Sequence, residues 1–156
     1  MDKKIKKISA LSRILAGLRK RKKKIVFTNG CFDILHIGHI RYLKKAKALG
    51  DILVVGLNSD KSVKMIKGRA RPLNKQGDRA EVLASLSYVD YVTVFSQRTP
   101  GLLIRALRPD VLVKGGDWKI EKIVGGDFVK SYGGSVATIP FVKGYSTTSL
   151  IERIAR

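Results

Sequence analysis

Acidic residues are scarce in this chain. Asp and Glu number 12 against 32 Lys and Arg, which leaves a net charge of +20. Cysteine is almost absent: Cys31 stands alone and has no partner for an internal disulfide, so a reducing cytoplasm is the expected setting. Histidine occurs only as His36 and His39, so a zinc site built on Cys31, His36 and His39 lacks a common fourth ligand, and no metal-ligating set is assigned. No apolar run approaches the roughly 20 residues that span a bilayer, so membrane insertion is not expected. The basic N-terminus is not followed by an apolar segment with a small-residue cleavage site, so no signal peptide is expected.

What is present fits one globular domain. A chain of 156 residues, 44% of them hydrophobic, can bury a core of its own. Its charge is uneven. Residues 1–24 hold 11 Lys and Arg against the single acid Asp2, half of the net charge. Within them Ile5, Ile8, Leu11, Leu15 and Leu18 recur at a helical period. The chain therefore divides into a basic helical segment, 1–24, packed on or linking to a domain over 25–156. Such a segment suits nucleic acid or an anionic membrane. No aromatic residues interleave with it, as single-strand binding would require. A solvated lysine face beside a site for polyanionic small molecules is the preferred reading, with no specific nucleic-acid partner.

Beyond residue 24, strand and helix patterns alternate. Strands are expected at 25–27, 52–57, 89–95, 110–113 and 135–141. Helices are expected at 38–49, 79–87, 100–107, 120–132 and 149–154, with Thr99 capping the third of these and Pro100 in its first position. That alternation predicts an α/β fold with a parallel sheet and helices on both faces. Polar, Gly-rich segments fall where strands end: 28–33, 58–60, 114–117 and 144–148. Ligands of such sheets bind at those ends. Residues 61–78 show no clear period and are rich in cations, so they are expected to form a substrate loop.

The stretch Thr28-Asn29-Gly30-Cys31-Phe32-Asp33-Ile34-Leu35-His36-Ile37-Gly38-His39 links the first strand to the next helix. A strand turning into a helix through small polar residues offers free N–H groups and the positive end of a helix dipole to phosphate. Two imidazoles there can follow charge as it builds on a phosphoryl group. Gly38, without a Cβ, lets a nucleotide approach the backbone.

This segment resembles the signature of the cytidylyltransferase-like nucleotidyltransferase superfamily. Its HxGH element is shared with glycerol-3-phosphate cytidylyltransferases, pantetheine-phosphate adenylyltransferases and class I aminoacyl-tRNA synthetases. Further motifs follow in order: Val54–Asp60, Lys67-Gly68-x-x-Arg71-Pro72, Val113-Lys114-Gly115-Gly116-Asp117 and Ser146-Thr147-Thr148. The set resembles the heptose-1-phosphate adenylyltransferase family over residues 8–154, in a stand-alone form without a kinase domain. The resemblance implies a Rossmann-like fold with a five-stranded parallel sheet. It implies AMP transfer from ATP to a heptose 1-phosphate, giving ADP-heptose and pyrophosphate for bacterial surface glycans. It further implies Mg²⁺ with ATP and a homodimer, for which the apolar face of 5–18 is a contact unless it packs on its own domain.

The same resemblance assigns roles. His36, His39 and Thr147 are the catalytic residues it implies. Thr28, Asn29, Gly30, Cys31, Phe32, Gly38, Lys114, Gly116, Asp117, Ser146 and Thr148 would hold the nucleotide. Asp33, Lys67, Arg71 and Arg79 would hold the sugar phosphate. Asp33 also suits a plain turn residue, and Ser146–Ser149 a plain helix cap. Cys31 lacks an oriented base and is read as a packing or backbone contact rather than a nucleophile. The glycerol enzymes carry an arginine just before Ser-Thr-Thr. Here only Lys143 is charged in that run, and Tyr145 stands where a smaller residue is expected. The remaining alternatives are a different acceptor, such as glycerol 3-phosphate, and an inactive nucleotide- or RNA-binding module.

Overall fold

The computed structural model describes residues 3–156; residues 1 and 2 of the basic segment lie outside it. The chain runs α1 (Ile8–Lys20), β1 (Ile25–Gly30), α2 (Ile37–Lys47), β2 (Ile52–Asn58), α3 (Asp60–Lys67), α4 (Gln76–Ala84), β3 (Tyr91–Phe95) and α5 (Gly101–Leu107). It continues through β4 (Val111–Gly115), a 3₁₀ turn (Ile120–Lys122), α6 (Gly126–Ser131), β5 (Ser135–Ile139) and α7 (Thr147–Ile154). The five strands form one parallel sheet in the order β3-β2-β1-β4-β5. The fold is the Rossmann-like α/β arrangement expected.

Side chains alternate across the strands, and this alternation builds two cores. Val26, Leu53, Val55, Val111 and Val113 face one side, against Tyr42, Leu43 and Ala46 of α2 and Ala80, Leu83 and Ala84 of α4. Ile25, Phe27, Val54 and Leu112 face the other, against Leu11 and Leu15 of α1, Leu103, Ile104 and Leu107 of α5 and Val129 of α6. Burying each such leucine contributes about 1.5–3 kcal/mol. The apolar face of residues 5–18 is thereby spent inside its own domain. Arg19 fastens the end of α1 by donating to the carbonyls of Leu107 and Arg108. The cations that follow, Lys20 to Lys24, are exposed.

Several elements depart from expectation. Residues 61–78 are not a single loop: α3 occupies the first part, its start capped by Ser59 Oγ accepting from Ser62 N at 3.1 Å. It ends at Gly68, whose φ of +92° suits glycine. The helix expected over 120–132 is interrupted. Gly125 has φ +84°, and a Cβ there would meet Ile104 at 2.7 Å. Thr99 makes no cap: Pro100 takes the N-cap place of α5, with no side-chain cap bond. β5 stops at Ile139, ahead of Pro140, which has no N–H to continue the ladder.

The strand order reverses between the central strand β1 and its neighbour β4. β1 hands the chain on toward β2 and β3, and the return crosses to β4 and β5. The carboxyl ends of β1 and β4 therefore diverge into a crevice, the usual ligand position in open parallel sheets.

Candidate active site

Two clefts open at that crevice and share a wall. The larger, about 510 Å³, is lined by Asn29, Gly30, Cys31 and Phe32 from the end of β1, and by His36, Gly38, His39 and Tyr42 from the turn and α2. Lys67 of α3, Lys114 and Gly115 of β4, Trp118, Phe141, Val142, Tyr145 and the Ser146–Thr148 turn complete it. The smaller, about 330 Å³, shares Asn29, Gly30, Cys31, Lys114 and Trp118 and adds Asn58, Ile66, Arg98, Thr99, Pro100, Leu112, Lys122, Ile123 and Val124. Among the described residues, no carboxylate lines either cleft.

The histidines are set by the backbone. His36 caps α2: its Nδ1 accepts from Gly38 N at 3.1 Å, which leaves the proton of the neutral ring on Nε2. A Cβ on Gly38 would lie 2.9 Å from that ring, so glycine here makes room for the imidazole. His39 lies one turn on, its ring stacked on His36 at 3.9 Å between centroids and edge-on to Phe32 at 5.2 Å. His39 Nδ1 is buried and has no hydrogen-bond partner among the described residues. Burial, then the His36 and Lys67 charges, push the His39 pKa down to about 4; burial lowers that of His36 as well. Both rings are thus neutral donors at pH 7 in the free protein. Burial also lowers the Lys114 pKa, opposed by Cys31. On the far wall, Ser146 and Ser149 form a reciprocal capping box at the start of α7, whose first residues Thr147 and Thr148 line the larger cleft.

Beside the clefts lies a hydrogen-bonded polar cluster. The Asp33 carboxylate accepts from Leu73 N and Asn74 N, each at 2.9 Å, and from Arg71 Nε at 2.7 Å. Burial raises its pKa, but these bonds outweigh it and the net shift is downward. Arg79 is 2% exposed. It donates to the carbonyls of Asn74, Cys31 and Asn58 and to Asp60 Oδ1, at 2.6–2.9 Å. Four of its five N–H groups therefore hold the β1 end, the β2 end and the 71–76 loop together.

Residues 27–153 match the family described as cytidylyltransferase-like. The chain belongs to this family. It is 54% identical over 155 residues to the bifunctional protein HldE of Geobacter metallireducens, covering 99% of this chain and 32% of that protein. With HldE of Campylobacter concisus it shares 57% identity over 153 residues, covering 98% and 31%. The chain thus spans about a third of the length of the curated relatives it matches. Among solved structures, the lipopolysaccharide core biosynthesis protein from Thermoplasma volcanium superposes with TM-score 0.62 at 29% identity, over 80% of this chain and 99% of that one. A pantoate-beta-alanine ligase from Francisella tularensis also gives TM-score 0.62, at 20% identity over 94% and 75%, a likeness of fold.

Against this cytidylyltransferase-like frame, the expected site residues separate into two groups. His36, His39, Thr147, Asn29, Gly30, Cys31, Phe32, Gly38, Lys114, Ser146, Thr148 and Lys67 come together around the larger cleft. Six others do not line either cleft. Thr28 is fully buried with its hydroxyl 2.6 Å from Tyr42 Oη, a contact that braces α2 against β1. Gly116, at φ +97°, makes room for Phe141, whose ring a Cβ would meet at 2.6 Å. Asp117 is exposed outside the lining. Asp33, Arg71 and Arg79 belong to the polar cluster beside the clefts, where Asp33 and four of the five Arg79 N–H groups bond to the protein itself. Arg71 keeps its terminal nitrogens off Asp33. Sequence reading missed Trp118, Arg98, Thr99 and Lys122. The first adjoins the Gly116-Asp117 motif; Arg98 and Thr99 follow the end of β3, the one strand end not singled out.

Proposed function

We propose that the chain transfers AMP from ATP to a heptose 1-phosphate, releasing pyrophosphate and forming ADP-heptose for bacterial surface glycans. The observation that carries this is the larger cleft at the β1/β4 crevice. It gathers two neutral imidazoles, Lys67, Lys114 and the N-terminus of α7, and no carboxylate among the described residues. Such a set suits a polyphosphate. It has no oriented base beside a nucleophile, which suits direct in-line displacement. Relatives at 54% and 56% identity are bifunctional HldE proteins, and the ordered motifs of the chain resemble the heptose-1-phosphate adenylyltransferase family. The Thermoplasma volcanium neighbour, a lipopolysaccharide core biosynthesis protein, points the same way.

In this reading an oxygen of the ionised sugar phosphate attacks the α-phosphorus of ATP. The bond from that phosphorus to the β-bridging oxygen breaks, and pyrophosphate leaves with the electron pair. The first N–H groups of α7 and the hydroxyls of Thr147 and Thr148 hold the departing phosphates. His36 Nε2–H and His39 donate to oxygens on which charge grows. Lys114, on the wall common to both clefts, neutralises donor and acceptor phosphates together. With no carboxylate among the described lining residues, the clefts supply no cage for a divalent ion; Mg²⁺ enters as the ATP complex, held by phosphates and water. The reaction takes place in the cytoplasm, and the enzyme works as a homodimer joined by a surface other than the α1 core face.

The deciding experiment measures pyrophosphate release with ATP or CTP against both anomers of D-glycero-D-manno-heptose 1-phosphate and against glycerol 3-phosphate. Release with ATP and one heptose anomer is expected. Release only with CTP or glycerol 3-phosphate replaces the substrate assignment. Silence of folded protein with every pair leaves the binding-module reading.

A further inference from the structure

Asp33 and Arg79 line neither cleft, so the walls of the clefts themselves must supply contacts to the sugar. We infer that the smaller cleft receives the sugar of the acceptor, with Arg98, Thr99 and Trp118 as its specificity-determining residues. This rests on the transfer reading above.

The two clefts share the wall formed by Asn29 to Cys31, Lys114 and Trp118. A sugar 1-phosphate whose phosphate sits at Lys114 must place its sugar on one side of that wall or the other. On one side stand the histidines and the Ser146–Thr148 turn, the groups suited to ATP. The other side has no histidine and no phosphate-binding turn among the described residues. Its volume of about 330 Å³ suits a single sugar ring and is small for a nucleoside triphosphate.

The lining has the chemistry of a sugar site. Arg98 and Thr99 reach the rim from the β3–α5 connection and offer donors to hydroxyls. Arg98 enters no salt bridge among the described residues. Trp118 is 51% exposed, Ile66 44% and Val124 45%. Three large apolar side chains open around one pocket form a surface that a bound molecule covers. The C–H face of a sugar fits an aromatic ring, and Lys114 Nζ already lies over the Trp118 ring at 5.6 Å from its centroid. Trp118 thus joins the sugar pocket to the cation at the phosphate.

The test uses Arg98→Ala, Arg98→Lys and Val124→Phe, the last intended to fill the pocket. The KM for D-glycero-D-manno-heptose 1-phosphate and for ATP is measured in each, with thermal melting as the check on folding. Arg98→Ala is expected to raise the acceptor KM about tenfold and shift the ATP KM less than about twofold, with Arg98→Lys partly restoring the acceptor KM. Val124→Phe is expected to raise the acceptor KM more. Trp118 is the chain's sole tryptophan, so its emission reports acceptor binding directly in the Arg98 and Val124 variants. If wild-type protein turns over and folded Arg98→Ala keeps the wild-type acceptor KM, or loses ATP affinity equally, the sugar pocket is overturned and the transfer reading stands. If wild type releases no pyrophosphate with ATP and either heptose anomer, both are overturned.

Discussion

His39 keeps a buried ring nitrogen without a partner among the described residues, whereas Arg79 has four of its five N–H groups committed to carbonyls and Asp60. Both residues belong to motifs that promise phosphate chemistry. Leaving a buried polar atom unpaired costs about 1–3 kcal/mol, so an open histidine is retained against stability. An arginine with four of its five N–H groups bonded does the reverse and holds shape. The Gly-Cys-Phe-Asp turn supplies both situations: its Cys31 carbonyl is fixed by Arg79 from behind while its front edge lines both clefts. On the proposed transfer, the open groups meet the reacting phosphates and the bonded ones hold the wall beside them in place.

That contrast breaks most sharply at Arg79. Arg79→Ala leaves three carbonyls and Asp60 without their donor, and is expected to cost about 3 kcal/mol of stability, read as a shift in the urea midpoint. Arg79→Lys should recover little, since one ammonium cannot reproduce the guanidinium fork. An unfolding curve like wild type, with only the acceptor KM raised, would return Arg79 to the substrate. Next in size is His39→Ala. It should lower kcat by about 100-fold, equivalent to about 2.7 kcal/mol of transition-state stabilisation, while the protein folds normally. Turnover within a few-fold of wild type would remove the ring from the mechanism.

Legibility in the sequence followed the same division. The parallel sheet was readable because buried strands such as Ile52–Leu57 are apolar throughout and alternate with amphipathic helices. The phosphate wall was readable because it is built by consecutive residues, 29–39 and 146–148. α3 was not, because only Val63 of its apolar residues is buried while Met65 and Ile66 are exposed, so no helical stripe appears. Its Ser59 cap and Gly68 stop were the available signals. Whether Asp33 and Arg79 face a ligand or each other's loop depends on contacts across about 40 residues, which spacing does not encode. The smaller cleft was hidden for the same reason: Arg98, Trp118 and Val124 meet only when β3, β4 and the 120–125 turn are assembled.

The lowered His39 pKa gives a smaller effect with a fixed sign. Its unfolded value is 6.5 and its folded value about 4. Between them the unfolded chain binds more protons, so stability rises with pH across that window and falls as acid is added. Wild type should therefore lose more stability between pH 7 and pH 5 than His39→Gln does, with His36 acting alike in both. Parallel losses would mean that the ring titrates normally and its nitrogen is not buried.

Cys31 should show the smallest effect, and it sharpens the contrast from the other side. Its side chain lies on the shared wall, yet burial raises the thiol pKa above its ordinary value against the pull of Lys67, Arg79 and Arg71. Little thiolate exists at pH 7, which suits packing and not nucleophilic attack. The pH dependence of its alkylation by iodoacetamide should have a midpoint above that of an ordinary cysteine thiol. Cys31→Ala should reduce kcat by less than about fivefold, because the Cys31 carbonyl that Arg79 holds survives the substitution. A midpoint below neutrality, or a loss as large as that of His39→Ala, would place a reactive thiolate among the open groups and end the division between a wall that positions and imidazoles that act.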